Sequence, residues 1–596
     1  MKKILLTIYK YIKLYNRLPP LPLKLYGYMP SILALIVKYL STKLKNQALL
    51  KYFPLAFKGT YFEKPIYLQK NGYGYYLQYY KTNNNTTAFL ATPEMAFYRG
   101  EMLLARKMKA QESYNLKADD GIILPISVVN SDVYKVPSIN TVSNNGYLID
   151  IKINGKDYQL NNLAQNRYHY LSFKKGDSFE IKSDCDLIIG KPLHASQKNK
   201  TEKKLVLLMF MDNFAAKIFN NIPLSKLMPN TYDFFSKGHI FNNNYINGHW
   251  TIDSVPTFFT GKYPVNHGVF HPQWPQNVGE KNKLISEYYR DNGYMTFHIG
   301  GNQRAAPNYG YTKGFERTVY GRQQPCEEVI AETLEQIRAF PERSQFGFLT
   351  FMDLHLLSPI QSISTQIQNS ILAHDYSMSR NKIVDGKTKI LQNNRNYEER
   401  YMSEAKRLDF YLNILFEYIK DNYSNNEILI ALVSDHGYLS TDETHVLSPS
   451  RISVPFMIRG GMVKEGESNE LVENIDVFPI LLHFSNILCN SEIDGRLPLT
   501  LGGDQKKEFS YTECIFPNQP YEAVVNDSQF KFYFKSESDV DDQGKVILSK
   551  FKTFLYDLKT NQDLTNEKQD LVNKYTQVVI QHTNKIQKTC QKLNNV

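Results

Sequence analysis

The sequence predicts an α/β fold, a doubly wound and mostly parallel sheet with a β-rich module ahead of it. Three observations lead there. Leu205–Met211 and Ile428–Val433 are short, wholly apolar runs that read as buried strands. Each stops abruptly at polar residues, Asp212-Asn213 after the first and Ser434-Asp435-His436-Gly437 after the second. Between and around them strand and helix patterns alternate, as parallel sheets require. Open sheets of this kind bind ligands beyond the carboxyl ends of their strands. The stretch Asn247–His267, NGHWTIDSVPTFFTGKYPVNH, places the hydroxyl of Thr251 at the start of a helix that would meet those acids.

A chain of 596 residues exceeds a single core. Four regions are expected: a basic helical segment over 1–50, a β-rich accessory module over 51–198, the main domain over 205–500, and a C-terminal subdomain with a tail helix over 501–596. A formal charge of +11 is modest for this length and suits an anionic glycan, a lipid headgroup surface or a nucleotide-linked donor. No nucleic-acid-binding module is visible. The five cysteines are far apart and contain no Cys-x-x-Cys, which implies neither a zinc knuckle nor a disulfide framework and favours a reducing compartment.

Met1–Tyr15 is apolar but broken by Lys10 and Lys13 and has no small-residue cleavage site, so it is a poor signal peptide. Ser31–Leu40 is too short to span a bilayer. Both pieces fit basic amphipathic helices lying on an anionic membrane surface, or helices packed on the protein's own body. The expected location is cytoplasmic or peripheral on the inner face of the membrane.

From Lys51 to Lys198, short runs such as Ile66–Leu68, Tyr75–Tyr80, Ile122–Val129, Tyr147–Ile153, Tyr168–Phe173, Ser178–Ile181 and Leu187–Ile189 are separated by turn signals, the spacing of a β-sandwich or related module. Met95–Lys109 reads as one helix within it. His194–Lys204 is polar and Lys-rich, as a linker would be. Then come Leu205–Met211, helices through Phe235, a helix over Leu284–Asn292, strand Thr296–Ile299, helix Glu327–Ala339, strand Phe346–Phe351, the long helix Tyr397–Lys420, strands Ile428–Val433 and Val454–Ile458, and helix Val477–Phe484. Residues 500–560 read as short strands and turns, and Glu567–Leu593 as a polar surface helix.

Asp212, Thr251, Asp435 and His436 form one chemical set. Two carboxylates, an imidazole and an alkoxide suit a hard or borderline dication, Mn²⁺, Zn²⁺ or Mg²⁺. Such an ion acidifies the threonine hydroxyl and neutralises charge on a phosphoryl or sulfuryl oxygen. The helix start after Thr251 adds backbone N–H groups for the anion. Singly, each residue reads equally as a helix cap or a turn; the order and strand placement make the set specific.

These motifs resemble the alkaline phosphatase superfamily, in its sulfatase-like and phosphotransferase branch, over about residues 205–560. Thr260-Gly261-Lys262-Tyr263-Pro264 and His267-Gly268 match an element that follows the nucleophile in sulfatases. Asp435-His436 matches the metal-binding Asp-His/Asn, and Asp212-Asn213 the first acidic pair. Phe351–His355 resembles a substrate-binding Asp-Pro-His element, and His445 precedes Val454-Pro455 as a histidine does in relatives. Sulfatases need a Cys or Ser in a Pro and Arg context, whereas Thr251–Val255 has none of these, so the usual sulfate-ester route is disfavoured. Threonine is the nucleophile in the phosphodiesterases and in the lipoteichoic-acid-synthase-like and phosphoethanolamine transferases. Thr296-Phe297-His298 with Asn302 and Arg304 resembles an element of those synthases.

The resemblance implies Thr251 as nucleophile with His298, His355 and His445 donating to the phosphoryl group or leaving oxygen. It implies Asn213, Arg304 and Asp353 toward substrate, and Asp212, Thr251, Asp435 and His436 on the metal. One or two ions fit: Asp353, His355 and His445 would supply the second. The expected activity is metal-dependent phosphotransfer from a phosphodiester or nucleotide-linked donor to a glycan, a bacterial surface polysaccharide such as capsule. Its rivals are a hydrolytic phosphodiesterase, a sulfatase-like hydrolase and a non-catalytic glycan-binding protein.

Overall fold

The computed structural model describes residues 74–81, 99–128, 148–161, 163, 168–196, 201, 203–270, 278–302, 304–306, 309–321, 324–355, 382–383, 390–391, 397–438, 445–516, 518–541 and 545–594. The readings of residues 1–50 and Ile66–Leu68 lie outside these. Ahead of residue 205 the chain forms β1 (Gly74–Lys81), β2 (Arg99–Met108), β3 (Ser113–Lys117), β4 (Ile122–Val128), β5 (Ile149–Ile153), β6 (Lys156–Leu160), β7 (His169–Phe173), β8 (Ser178–Ser183), β9 (Leu187–Gly190) and β10 (Leu193–His194). The helix expected over Met95–Lys109 is instead strand β2. Its apolar run carries both periods, and three flanking strands settle the choice: β2 pairs antiparallel with β1, β9 and a strand of the central sheet.

The main domain follows as β11 (Leu205–Met211), α1 (Pro229–Ser236), β12 (His239–Tyr245), α2 (Thr251–Thr260), α3 (Ile285–Asp291), β13 (Met295–Gly300), β14 (Arg317–Tyr320), α4 (Cys326–Ala339), β15 (Gln345–Phe351), the short pair β16 (Lys382–Ile383) and β17 (Ile390–Leu391), α5 (Tyr397–Asn422), β18 (Ile428–Val433), β19 (Phe456–Arg459), β20 (Gly466–Glu473) and α6 (Val477–Phe484). The large sheet runs β10-β4-β9-β2-β14-β13-β15-β11-β18-β19-β12-β20. Its centre, β14 through β18, is parallel throughout. Strand β19 is antiparallel to both neighbours. The N-terminal strands thus continue the central sheet through the β2–β14 pairing.

Strand β11 shows why the sheet is doubly wound. Leu205, Leu207, Met209 and Met211 face one way, against α4 and α5 residues such as Val329, Leu408 and Leu412. Val206, Leu208 and Phe210 face the other, against Val255 and Phe258 of α2, Ile285 of α3 and Phe478 of α6. Both faces are covered, so every residue of β11 is buried and the run carries no polar alternation. The remainder, β21 (Ser510–Cys514), β22 (Pro520–Asn526), β23 (Phe530–Asp539), β24 (Phe551–Asp557) and α7 (Gln569–Asn594), forms an antiparallel four-stranded sheet and a helix. Val572, Tyr575 and Val579, at helical spacing on α7, are buried with Phe532 and Phe534 of β23.

Register decides where the chemistry lies. Met211 pairs with Phe351, Phe210 with Val433 and Gly300 with Thr350, so β11, β13, β15 and β18 end at one level. Asp212, Gly301-Asn302, Met352-Asp353 and Ser434-Asp435-His436 follow directly at that edge. Among the described residues no helix is long and apolar enough to cross a membrane.

Candidate metal and catalytic site

Asp212 continues the ladder of β11, its N–H donating to Phe351 O at 3.0 Å, and the chain then turns through Asn213 at φ 68°. Asn and Gly tolerate that left-handed conformation. The Asn213 N–H donates to Asp435 Oδ1 (3.2 Å), while its side-chain amide donates to Leu354 O (3.0 Å). Asn213, expected toward substrate, is therefore engaged in holding two loops together. The Asp435–Gly437 loop passes so close to the next segment that a Cβ on Gly437 would lie 1.9 Å from Ser450 O, which explains the glycine after His436.

Thr251 opens α2. The Asp253 carboxylate accepts the Trp250 N–H at 3.0 Å, closing the helix start, and Ser254 Oγ donates to Asp435 O at 2.7 Å, fixing the first turn against the β18 loop. At the far end of the motif His267 Nδ1 accepts from Val269 N–H (3.1 Å), so Nε2–H donates to Asp253 O (3.2 Å). Burial pushes the His267 pKa down to about 3, which keeps the ring neutral in this bracing role.

The result is one compact set. Asp212, Asp435 and His436 are all buried and offer ligand atoms within 4.8 Å of one another. His436 Nδ1 lies 3.2 Å from Gly437 O, which fixes the tautomer and leaves the Nε2 lone pair toward the centre. Nε2 is 3.4 Å from Thr251 Oγ1, 3.2 Å from Asp435 Oδ2 and 3.9 Å from Asp212 Oδ1. Each carboxylate has one oxygen satisfied: Asp212 Oδ2 by Asn302 Nδ2 (2.7 Å), Asp435 Oδ1 by the N–H groups of Asn213 and His436 (2.8 Å). The other oxygens, Asp212 Oδ1 and Asp435 Oδ2, are enclosed without a hydrogen-bond partner among the described residues. Two orphaned carboxylate oxygens converging with an imidazole lone pair and a hydroxyl are the donor set of a divalent cation.

Electrostatics agree. Burial pushes Asp212 up to about 7, with the Arg451 charge opposing it. Burial and then repulsion from Asp212 raise Asp435 well above the carboxylate range. His436 is held well below the usual imidazole range by burial and by the Arg451 charge. A raised folded carboxyl pKa stabilises the fold below the unfolded value of about 3.9 and loses that contribution as pH rises through about 7. Cation binding needs the ionised form and reverses this. Saturating Mn²⁺ is therefore expected to raise the melting temperature more at pH 8 than at pH 6 in differential scanning calorimetry; an equal or smaller rise at pH 8 would remove these carboxyls from the ion.

The other expected residues divide. His355 reaches the set, with Nε2 4.0 Å from Asp212 Oδ1 and its side chain 35% exposed. Arg304 stands at its border, donating to Tyr309 OH (2.7 Å) and lying 5.1 Å from the Trp250 ring centroid. His298 lies within β13, packed against Phe315 and Phe348, and makes no hydrogen bond to the set among the described residues. Asp353 turns away, bonded to Arg407 and to Cys326 N–H (3.2 Å). His445 packs against Tyr533, ring centroids 3.8 Å apart, and Phe554. The set expected for a second ion is thus not brought together. Asn302 and Arg451 are the site residues that sequence reasoning missed. Asn302 stood only in a motif likeness, and nothing local marks Arg451, whose contacts are long-range.

The nucleophile segment is anchored from behind. Asn247 Nδ2 donates to Glu473 Oε1 (2.8 Å) and Tyr263 OH to Glu473 Oε2 (2.9 Å). Lys507 Nζ bridges Glu473 (2.5 Å) and Asp476 (2.7 Å) in a buried triad.

A candidate dication site thus lies beside a hydroxyl at a helix start, on the strand-end edge of a parallel sheet. Residues 204–487 match the model of the sulfatase family, in keeping with the resemblance of this part to the alkaline phosphatase superfamily. Similar solved structures include a 2-O GAG sulfatase (13% identity, 65% of this chain and 93% of that one, TM-score 0.49) and the phosphonate monoester hydrolase of Silicibacter pomeroyi (14%, 64% and 95%, 0.47). A protein in the alkaline phosphatase superfamily from Vibrio parahaemolyticus is similar at 14% identity, over 67% and 89%, with a TM-score of 0.46. No curated protein matches the sequence.

Proposed function

We propose that the protein is a metal-dependent phosphotransferase that moves a phosphoryl group from a phosphodiester or nucleotide-linked donor to a glycan hydroxyl. The observation that carries this reading is Thr251 Oγ1 at the head of α2, beside Asp212, Asp435 and His436 Nε2. Those three residues would hold a divalent cation, which supplies charge neutralisation and lowers the pKa of the hydroxyl. Thr251 gives up its proton to solvent and its Oγ attacks phosphorus. The bond to the donor's leaving oxygen breaks, and that oxygen takes up a proton. His355, at the open side of the set and with its pKa lowered by burial, is the group placed to relay it from solvent. The phosphoryl group on Thr251, still carrying the donor's second substituent, is then attacked by an acceptor hydroxyl; the bond to Thr251 Oγ breaks, and the proton lost by the acceptor restores the threonine hydroxyl. The N–H groups at the start of α2 favour the anion throughout.

A threonine in place of the sulfatase Cys or Ser supports phosphoryl over sulfuryl chemistry. The glycan acceptor rests on analogy with surface-polymer transferases of the superfamily. Hydrolysis, with water as acceptor, uses every residue named and is the second reading, favoured by the match to a family of hydrolases. To test the proposal, Mn²⁺-loaded protein is mixed with bis(4-nitrophenyl) phosphate, quenched in acid and digested. A 4-nitrophenylphosphoryl group on the Thr251 peptide is expected, with release of one 4-nitrophenol. Turnover that persists in Thr251→Ala without that label would overturn the reading, and added polysaccharide that captures the label separates transfer from hydrolysis.

A further inference from the structure

The nucleophile segment lacks the arginine that accompanies the nucleophile in sulfatases, yet the fold delivers one from elsewhere. Arg451 lies on the helical turn Pro449–Ile452, between β18 and β19. Its Nε donates to His249 O and its Nη1 to Gly437 O, both at 2.7 Å. One carbonyl lies two residues before Thr251, the other one residue after His436, so the guanidinium spans the segments that carry the nucleophile and the metal ligand. Nη2 has no hydrogen-bond partner among the described residues. The strongest favourable electrostatic partners of Arg451 are Asp435, Asp212 and Asp253, yet it forms no ion pair with a carboxylate among the described residues.

This arrangement is unusual for a half-buried guanidinium, which ordinarily closes on a carboxylate. Two neutral carbonyls fix its plane and leave its charge uncancelled. A dication on Asp212, Asp435 and His436 would leave these groups and Arg451 net positive. Planar N–H donors beside a cation are the usual way to hold phosphoryl oxygens.

We infer that Arg451 is the anion-binding arginine of this site, with Nη2 taking a non-bridging oxygen of the transferred group while the His249 and Gly437 carbonyls hold the other nitrogens. The inference rests on the proposed phosphoryl chemistry and adds a residue that directly binds substrate.

The test is calorimetric binding of inorganic phosphate to Mn²⁺-loaded protein, for the wild type, Arg451→Gln and Arg451→Lys, with Mn²⁺ affinity and melting temperature measured alongside. Loss of one charged hydrogen bond predicts about 10- to 100-fold weaker phosphate binding in Arg451→Gln. Arg451→Lys keeps the charge but cannot satisfy two carbonyls and an anion together, so a smaller loss of about tenfold is expected. Mn²⁺ affinity should stay within about threefold of wild type. If Arg451→Gln does not fold, Arg451→Lys decides. Unchanged phosphate affinity in a folded variant, with only the melting temperature lowered, makes Arg451 a structural brace and overturns the inference alone. A wild type that binds Mn²⁺ but no phosphate overturns the phosphoryl reading and the inference with it.

Discussion

Thr251→Ala is expected to lower turnover by about a thousandfold or more, the scale seen when a nucleophile is removed, while the protein stays folded and keeps its Mn²⁺ affinity within about tenfold. The reason is the division of labour in the site. Asp212, Asp435 and His436 are held by other residues: Asn302, the N–H groups of the loops, and the Gly437 carbonyl. None of those bonds involves Thr251. Alanine keeps the helix start, since the Asp253 carboxylate rather than the Thr251 side chain holds the His249 and Trp250 N–H groups just before it. What is lost is the attacking atom. Thr251→Ser should keep measurable turnover, because its hydroxyl begins from the same backbone position. Steady-state kinetics on a phosphodiester with thermal melts of the same samples check this, and wild-type turnover in Thr251→Ala would remove the residue from its role.

Lys507→Met is expected to cost about 3–5 kcal/mol of stability, the range for removing one partner of a buried ion cluster. Lys507 lies between Glu473 and Asp476, which are almost wholly enclosed. Methionine fills similar volume but leaves two carboxylates facing each other. Glu473 also receives Asn247, Tyr263 and the Tyr511 N–H, so the cluster joins both ends of the nucleophile segment to the C-terminal sheet. Activity should therefore fall at temperatures below the melting transition, as α2 loses its anchor. Urea unfolding that shows a loss under about 1 kcal/mol would mean that the cluster contributes little net stability.

The central sheet and the meeting of Asp212, Thr251, Asp435 and His436 were legible because both depend on short-range signals. Wholly apolar runs give strands buried on both faces, and the residue after such a run must lie at the sheet edge. Asp212, Asp435, His436 and Thr251 each fall directly after a strand or at a helix start. His298 was named from a motif likeness, which does not say which face of the strand its ring takes. Within β13 its ring lies beside Phe315 and Phe348. Asp353 and His445 follow partners from other parts of the chain, Arg407 on α5 and Tyr533 on β23, that no local pattern announces. The same is true of Arg451, whose side chain matters only because the loops of His249 and Gly437 converge on it. Strand β2 looked helical because its pairing partners lie far along the chain.

The most direct measurement is an anomalous difference map from a crystal of the protein with Mn²⁺. The account predicts one strong peak within about 2.0–2.5 Å of Asp212, Asp435, His436 and Thr251 Oγ1. A peak at the only other such group among the described residues, Cys326, Glu327 and Asp353, with none beside Thr251, would contradict it.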